Sequence, residues 1–223
     1  MNDIKWDEKA LKEWNRKACL VFDGITNQKR FKEVNPKILW ILKESNTGDN
    51  PREKSCHRDF HKNVTDYPLW RRTYKKIIYV VYGVLNKCFT YRNLHEITDD
   101  AKIDGINVLE DIAIININKI GGDSMSKQSK INKEYDVHKE FLLEQIKAIN
   151  PDIIINSSRV WNLFTDLVPE ENIKEYGKQD LQYGITEEGR FVIHYYHPNQ
   201  RKKGVTDLIY CNNILQVIKK RYE

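Results

Sequence analysis

The chain has 223 residues, 40% of them hydrophobic, and a formal net charge of +5. This length is enough to bury a sizeable core, which argues against a disordered or fibrous protein and predicts a single α/β domain over residues 1–223 with a helical N-terminal extension over about 1–35. The first residues lack the apolar stretch of a signal peptide, and no apolar run approaches the roughly 20 residues of a membrane span. We therefore expect a cytoplasmic monomer without a membrane anchor.

Short apolar runs alternate with amphipathic stretches along the chain. Continuous apolar runs predict strands covered on both faces, whereas apolar residues three and four apart predict helices. The predicted elements are, in order, a helix over 7–17, a strand over 38–42, a helix over 69–88, a strand over 111–116, a helix over about 136–149, a strand over 153–155 followed by a helix, a hairpin that turns near 187–189, a strand over 191–196 and a helical C-terminus. This alternation predicts a three-layer α/β/α fold with a central, mainly parallel four-stranded sheet.

Polar residues follow each of the four predicted strands. The segments are Lys43-Glu44-Ser45-Asn46-Thr47-Gly48, Asn116-Ile117-Asn118-Lys119, Asn156-Ser157-Ser158-Arg159 and His197-Pro198-Asn199-Gln200-Arg201. Pro198 lacks an N–H and fixes its own φ, so it ends the last strand and presents His197 on a rigid loop. Parallel strands end at the same edge of a sheet, and open α/β sheets bind ligands there. We therefore expect the four segments to converge on one cleft.

Taken together, these segments resemble the motifs of the uracil-DNA glycosylase superfamily. Residues 38–48 resemble its first motif, Asn116-Ile117-Asn118-Lys119 its strand-end Asn-x-x-Lys, residues 151–155 its third strand, and residues 196–201 its His-Pro-Ser motif. The resemblance covers roughly residues 36–220 and implies the fold of that superfamily. It also implies a monofunctional DNA glycosylase, which hydrolyses the N-glycosidic bond of a flipped base and leaves an abasic site.

Two residues compete for the reactive position of the first motif, because the loop lacks the proline that the family usually has. Alignment on the strand puts Glu44 there, as a carboxylate that activates water and stabilises the oxocarbenium-like sugar. Alignment on the glycine instead puts Asn46 there, and an amide only positions water. His197 is implied to donate a hydrogen bond to the pyrimidine O2 as that oxygen gains charge. All three are also ordinary turn residues, which is the competing structural interpretation.

The remaining implied site residues bind the base and the DNA. Asn116 offers both a donor and an acceptor to the Watson–Crick edge, Asn118 competes for this role, and Phe60 or Tyr67 is a candidate to stack on the flipped base. The candidates for contacts with double- or single-stranded DNA are Ser157, Arg159, Asn199, Gln200, Arg201 and Lys202. Ordinary surface or core positions would explain any one of these residues equally well.

The first loop also bears on the substrate. Uracil-specific members of the family carry a bulky residue in this motif, whereas this loop has Ser45, Thr47 and Gly48. The sequence therefore predicts a pocket that accepts a large substituent, such as that of hydroxymethylated or glucosylated cytosine in phage DNA. Such an enzyme would act in antiviral defence, and repair of uracil in DNA is the alternative.

Other classes of function and chemistry stay open at this point. The chain could be a non-catalytic nucleic-acid-binding protein on the same fold, or an α/β hydrolase that acts on nucleotides or small glycosides. No lysine is plainly placed for Schiff-base chemistry, although Lys43 and Lys119 do not exclude it. The four cysteines form no C-x-x-C pair, and Cys56, His57 and His61 lack a matching second cluster, so neither a metal nor a cofactor is expected.

Overall fold

The computed structural model describes residues 23–46, 64–66, 70–122, 126–177, 180–200 and 203–223. Within these ranges the chain is a mixed α/β structure. The strands are β1 (Gly24–Ile25), β2 (Ile38–Asn46), β3 (Ile112–Gly122), β4 (Ile153–Asn156), β5 (Lys174–Tyr176), β6 (Leu181–Ile185) and β7 (Phe191–His194). The helices are α1 (Gln28–Glu33), α2 (Trp70–Leu85), α3 (Gln128–Ile149), α4 (Trp161–Leu167) and α5 (Asp207–Lys219). The helix predicted over 7–17 lies outside the described residues.

The strands form one mixed sheet in the order β1-β3-β2-β4-β7-β6-β5. Its centre, β3-β2-β4-β7, is parallel, whereas β1, β6 and β5 pair antiparallel. The prediction of four strands is therefore wrong, because the sheet has seven. β1 and β5 have only two and three residues, which is too short for the alternating pattern that identifies a strand in a sequence.

Helices cover both faces of the sheet. Successive side chains of a strand point to opposite faces, so Ile38 and Trp40 pack into one core and Leu39 and Ile41 into the other. The first core, on one face, includes residues of α2 and α5, and the second core, on the other face, includes residues of α3 and α4. Because the central strands are buried on both sides, their sequences are continuous apolar runs.

Several elements begin or end where the sequence pattern did not place them. β2 continues past residue 42 to Asn46, and β3 continues past residue 116 to Gly122. The segment expected to be a polar loop after β2 thus begins as strand, with Glu44 paired to Asn118 and a register shift between Glu44 and Asn46. Polar side chains here remain in the ladder because the backbone, not the side chain, makes its hydrogen bonds. α3 starts at Gln128 rather than near 136, and β7 ends at His194 rather than at 196.

The order of the parallel strands positions the candidate site. β3 and β4 lie on opposite sides of β2, so the crossover from β2 to β3 runs in one direction along the sheet and the crossover from β3 to β4 runs back past β2. Such a switch point opens a crevice outside the carboxyl ends of the strands, where α/β proteins bind their ligands. Lys43 and Glu44 lie at this crevice, since the last β2–β4 pair joins Ile41 to Asn156.

Candidate active site

The structure brings residues of all four predicted strand exits to one edge of the sheet. Glu44 is paired with Asn118 across β2 and β3, and Asn156 is paired with His194 across β4 and β7. His197 follows β7 by three residues. The parallel register therefore assembles side chains that are separated by more than half of the sequence.

Glu44 is held by the neighbouring strand. Asn118 donates a hydrogen bond from Nδ2 to Glu44 Oε2 at 2.8 Å, and the Lys130 ammonium lies 3.8 Å from the same oxygen. The Glu44 side chain is only 4% exposed. No group in the described part of the chain bonds its second oxygen, Oε1. A carboxylate fixed through one oxygen can accept a proton from water with the other.

His197 is held as a neutral ring with a defined tautomer. Its Nδ1 accepts a hydrogen bond from the backbone N–H of Asn199 at 3.2 Å, so the proton of the neutral imidazole is on Nε2. Burial, together with the positive charges of Lys43 and Lys76, lowers the pKa of His197 to about 3. The ring therefore stays neutral near neutral pH and presents an Nε2–H donor.

The loop that carries His197 is braced on both sides. The backbone N–H of Gln200 donates to the carbonyl of His197 at 2.8 Å, which closes a turn around Pro198. Lys76 on α2 donates to the carbonyl of Pro198. His197 is thus a turn residue as well as a candidate catalytic donor, and the two interpretations offered by the sequence are compatible.

Asn116 lies deeper in β3 than Asn118, on the same face, because two residues separate them. It is 1% exposed, and its backbone N–H donates to Asp23 Oδ2 at 2.6 Å. Its side-chain Oδ1 is buried and has no hydrogen-bond partner among the described residues. Buried acceptors are nearly always paired, so Oδ1 is the better candidate to accept a hydrogen bond from a ligand. Asn118 instead uses its amide to hold Glu44.

The exit of β4 is tied to that of β7. The hydroxyls of Ser157 and Tyr210 lie 3.2 Å apart, and Tyr210 donates to the carbonyl of Tyr196 at 2.8 Å. Ser157 is fully buried, so its side chain braces the two exits and does not reach a nucleic acid.

Arg159 is exposed, has φ of 60°, and its guanidinium lies 4.9 Å from the Tyr196 ring. This residue is available for a phosphate.

The two lysines left open by the sequence have different environments. Lys119 is fully buried and donates to Asp23 Oδ1 at 2.7 Å and to Gln145 Oε1 at 2.8 Å. This ammonium is fixed in a buried ion pair. Lys43 is half-buried, and burial followed by the charge of Arg159 lowers its pKa, while Glu44 opposes the change.

Several predicted site residues lie outside the described residues: Phe60, Tyr67, Arg201, Lys202 and the side chain of Asn46. The same is true of Cys56, His57 and His61. Asn199 is exposed, whereas Gln200 is half-buried and its Oε1 has no partner in the described ranges. The choice between Glu44 and Asn46 therefore stays open, because only the Glu44 side chain lies within the described residues.

Sequence reasoning missed three residues that organise the edge. Asp23 precedes a two-residue strand, Lys76 lies within a helix of mixed polarity, and Tyr210 belongs to a buried helical stripe. None of them occupies a motif, and each acquires its role only through contacts distant in sequence. No local signal could have found them.

Comparison with known protein families gives no match, and no curated protein is similar in sequence to this chain. In the described ranges, no helix is both long enough and apolar enough to cross a membrane. Nor do those ranges contain a group of three His, Cys, Asp or Glu residues placed to hold a metal ion.

Proposed function

We propose that this protein is a DNA glycosylase that hydrolyses the N-glycosidic bond of a flipped uracil or modified pyrimidine, as a divergent member of the uracil-DNA glycosylase superfamily. The observation that carries the proposal is that a fixed carboxylate, Glu44, and a neutral imidazole donor, His197, both lie at the carboxyl-end edge of the parallel strands. Cleavage of this bond leaves positive charge on the sugar and negative charge on the base, so it needs a group at each end.

Glu44 serves the sugar end. Its Oε2 is anchored by Asn118, which leaves Oε1 to accept the proton of the attacking water and to stabilise the oxocarbenium-like sugar. Asn46 is the alternative residue, and its amide would position the water.

His197 serves the leaving base. The neutral Nε2–H donates a hydrogen bond to the pyrimidine O2 as this oxygen gains negative charge. Because the imidazole is uncharged, no desolvation of a charged ring is needed. The unpartnered Oδ1 of Asn116 accepts a hydrogen bond from the Watson–Crick edge of the base. Arg159, together with Asn199 and Gln200, contacts the DNA backbone.

The substrate proposal keeps both options that the sequence leaves. Small residues in the first loop favour a modified cytosine of phage DNA, and uracil is the alternative. The proposed site of action is the cytoplasm, with DNA as the partner and with the protein as a monomer.

The test is incubation of the purified chain with matched duplexes that carry uracil, hydroxymethylcytosine, glucosylated hydroxymethylcytosine or only ordinary bases, followed by detection of abasic sites. We expect abasic sites in at least one modified duplex and none in the ordinary one. Release of uracil alone would refute the enlarged pocket. Tight duplex binding without base release would indicate a binding protein, and hydrolysis of free nucleosides alone would indicate a small-molecule hydrolase.

A further inference from the structure

Lys43 lies on β2 beyond the point where the neighbouring, shorter strand β4 ends. The last residue of β4, Asn156, is paired with Ile41 of β2, and the backbone N–H of Ser157 donates to the carbonyl of Ile41 at 2.9 Å. Lys43 lies two residues farther along β2, where β4 has already turned away. Lys43 is therefore at the crevice, next to Glu44 along β2 and within electrostatic range of Arg159.

The amine of Lys43 differs from the other lysines of this region in making no hydrogen bond or ion pair within the described ranges. Lys119 is bound by Asp23, Lys76 donates to Pro198 and lies 3.2 Å from Asp207, and Lys130 lies 3.8 Å from Glu44. Lys43 makes no hydrogen bond or ion pair with any residue that the structure describes. A half-buried primary amine with no ion pair among the described residues is harder to keep charged than an exposed amine.

The surroundings of Lys43 lower the pKa of its amine. Burial and the nearby guanidinium of Arg159 lower its pKa, and the opposing effect of Glu44 is the smallest of the three. A lysine that is desolvated beside another cation is a usual form of activated amine nucleophile. The positive charge of Lys43 also acts on the ring of His197, which puts the amine within electrostatic range of the proposed leaving group.

We propose that Lys43 attacks the abasic sugar that base release leaves behind, so that the protein also cleaves the DNA strand on the 3′ side of that sugar. This inference rests on the proposed function, because the abasic site is the product of the proposed glycosylase. Lys119, the other lysine that the sequence left open, is excluded by its buried ion pair with Asp23.

The reaction is balanced without an oxidant or a metal. The lone pair of Lys43 Nζ adds to C1′ of the open-chain aldehyde, and loss of water gives a protonated imine. The Glu44 carboxylate removes a proton from C2′, the electron pair forms the C2′–C3′ double bond, and the bond from C3′ to its phosphate oxygen breaks. Water then hydrolyses the imine, which returns the free amine and leaves an unsaturated aldehyde on one DNA fragment.

The test uses a duplex with a preformed abasic site, which removes the need for base release. Sodium borohydride in the reaction reduces the imine and leaves protein and DNA covalently joined, and the joined species is quantified on a denaturing gel. We expect an adduct with the wild-type chain and at least a tenfold loss with Lys43→Arg, which keeps the charge but removes the primary amine. Lys139→Arg is the matched control, because Lys139 pairs with Asp166 on the exposed side of α3.

Peptide mapping of the reduced adduct should locate the DNA on Lys43. The proposal is overturned if the wild-type chain gives no adduct, if Lys43→Arg forms it as well as wild type, or if the DNA maps to another lysine. Circular dichroism of both variants checks that they fold. Base release is measured separately, so an adduct without base release would contradict the proposed function and not the nucleophile.

Discussion

At the scale of single residues, the site is distinguished by neutral imidazoles in buried surroundings. His194 is the last residue of β7, directly before the loop that carries His197. Its Nδ1 is 3.1 Å from Nδ2 of Asn156. Its ring packs against Trp161 and Phe164. Burial, and to a lesser extent the charge of Arg159, lowers the pKa of His194 to about 4.

This lowered pKa predicts how stability depends on pH. The unfolded chain binds a proton at His194 below about pH 6.5, whereas the folded chain does not until about pH 4. The contribution of His194 to the free energy of unfolding should therefore be constant above about pH 7 and fall as the pH drops from about 6.5 toward 4. Urea unfolding of wild type and His194→Gln at about pH 7 and about pH 5 should show a smaller fall in the variant.

The same experiment carries its own control. Between about pH 7 and pH 8 the histidine is neutral in both states, so the difference in stability between the two chains should not change. Equal falls in wild type and variant below about pH 6.5 would show that His194 is not the group responsible.

At the scale of elements, the β1–β3 edge is fastened by a buried ion pair. The side chains of Asp23 and Lys119 are 2% and 1% exposed, and their closest atoms are 2.7 Å apart. Gln145 on α3 bonds both of them, and the backbone N–H of Asn116 also donates to Asp23. One carboxylate therefore joins β1, β3 and α3 beside the candidate base-binding residue.

Removal of this carboxylate should be strongly destabilising. Asp23→Ala leaves the Lys119 ammonium buried without its counter-ion, and loss of one partner of a buried pair typically costs about 3–5 kcal/mol. Urea unfolding measures the effect. Asp99→Ala, which removes an exposed ion pair with Arg71, is the control and should unfold like wild type. A stability of Asp23→Ala within about 1 kcal/mol of wild type would contradict the structure of this edge.

Elements with strong local signals were predictable from the sequence, and those built on distant contacts were not. The apolar runs at Ile38–Leu42 and Ile153–Ile155 identify buried strands, and α2 forms despite the β-favouring Val80 and Val81 because its amphipathic pattern dominates. The short edge strands have no such pattern. The strand-exit prediction named Glu44, Asn118 and His197, whereas Asp23, Lys76 and Tyr210, which hold neighbouring residues of that edge, depend on tertiary packing alone.

At the scale of the whole molecule, the mixed sheet combines two features that the proposed reaction requires. The switch point between β2 and β4 opens a crevice at the carboxyl ends of the parallel strands. The antiparallel strands extend the sheet on either side and leave the crevice to residues of β2, β3, β4 and the loop after β7. The groups proposed for the sugar and for the base thus come from β2 and from the loop after β7.

The most direct test of this account is the rate of base release under single-turnover conditions, with the duplex on which the wild-type chain is most active. We expect Glu44→Gln and His197→Gln each to lower this rate by about 100-fold or more, because each removes a group that acts in the transition state. Both variants should still bind the duplex and keep the wild-type circular dichroism spectrum. Absence of base release from every modified duplex by the wild-type chain, or release at the wild-type rate by either variant, would contradict the account.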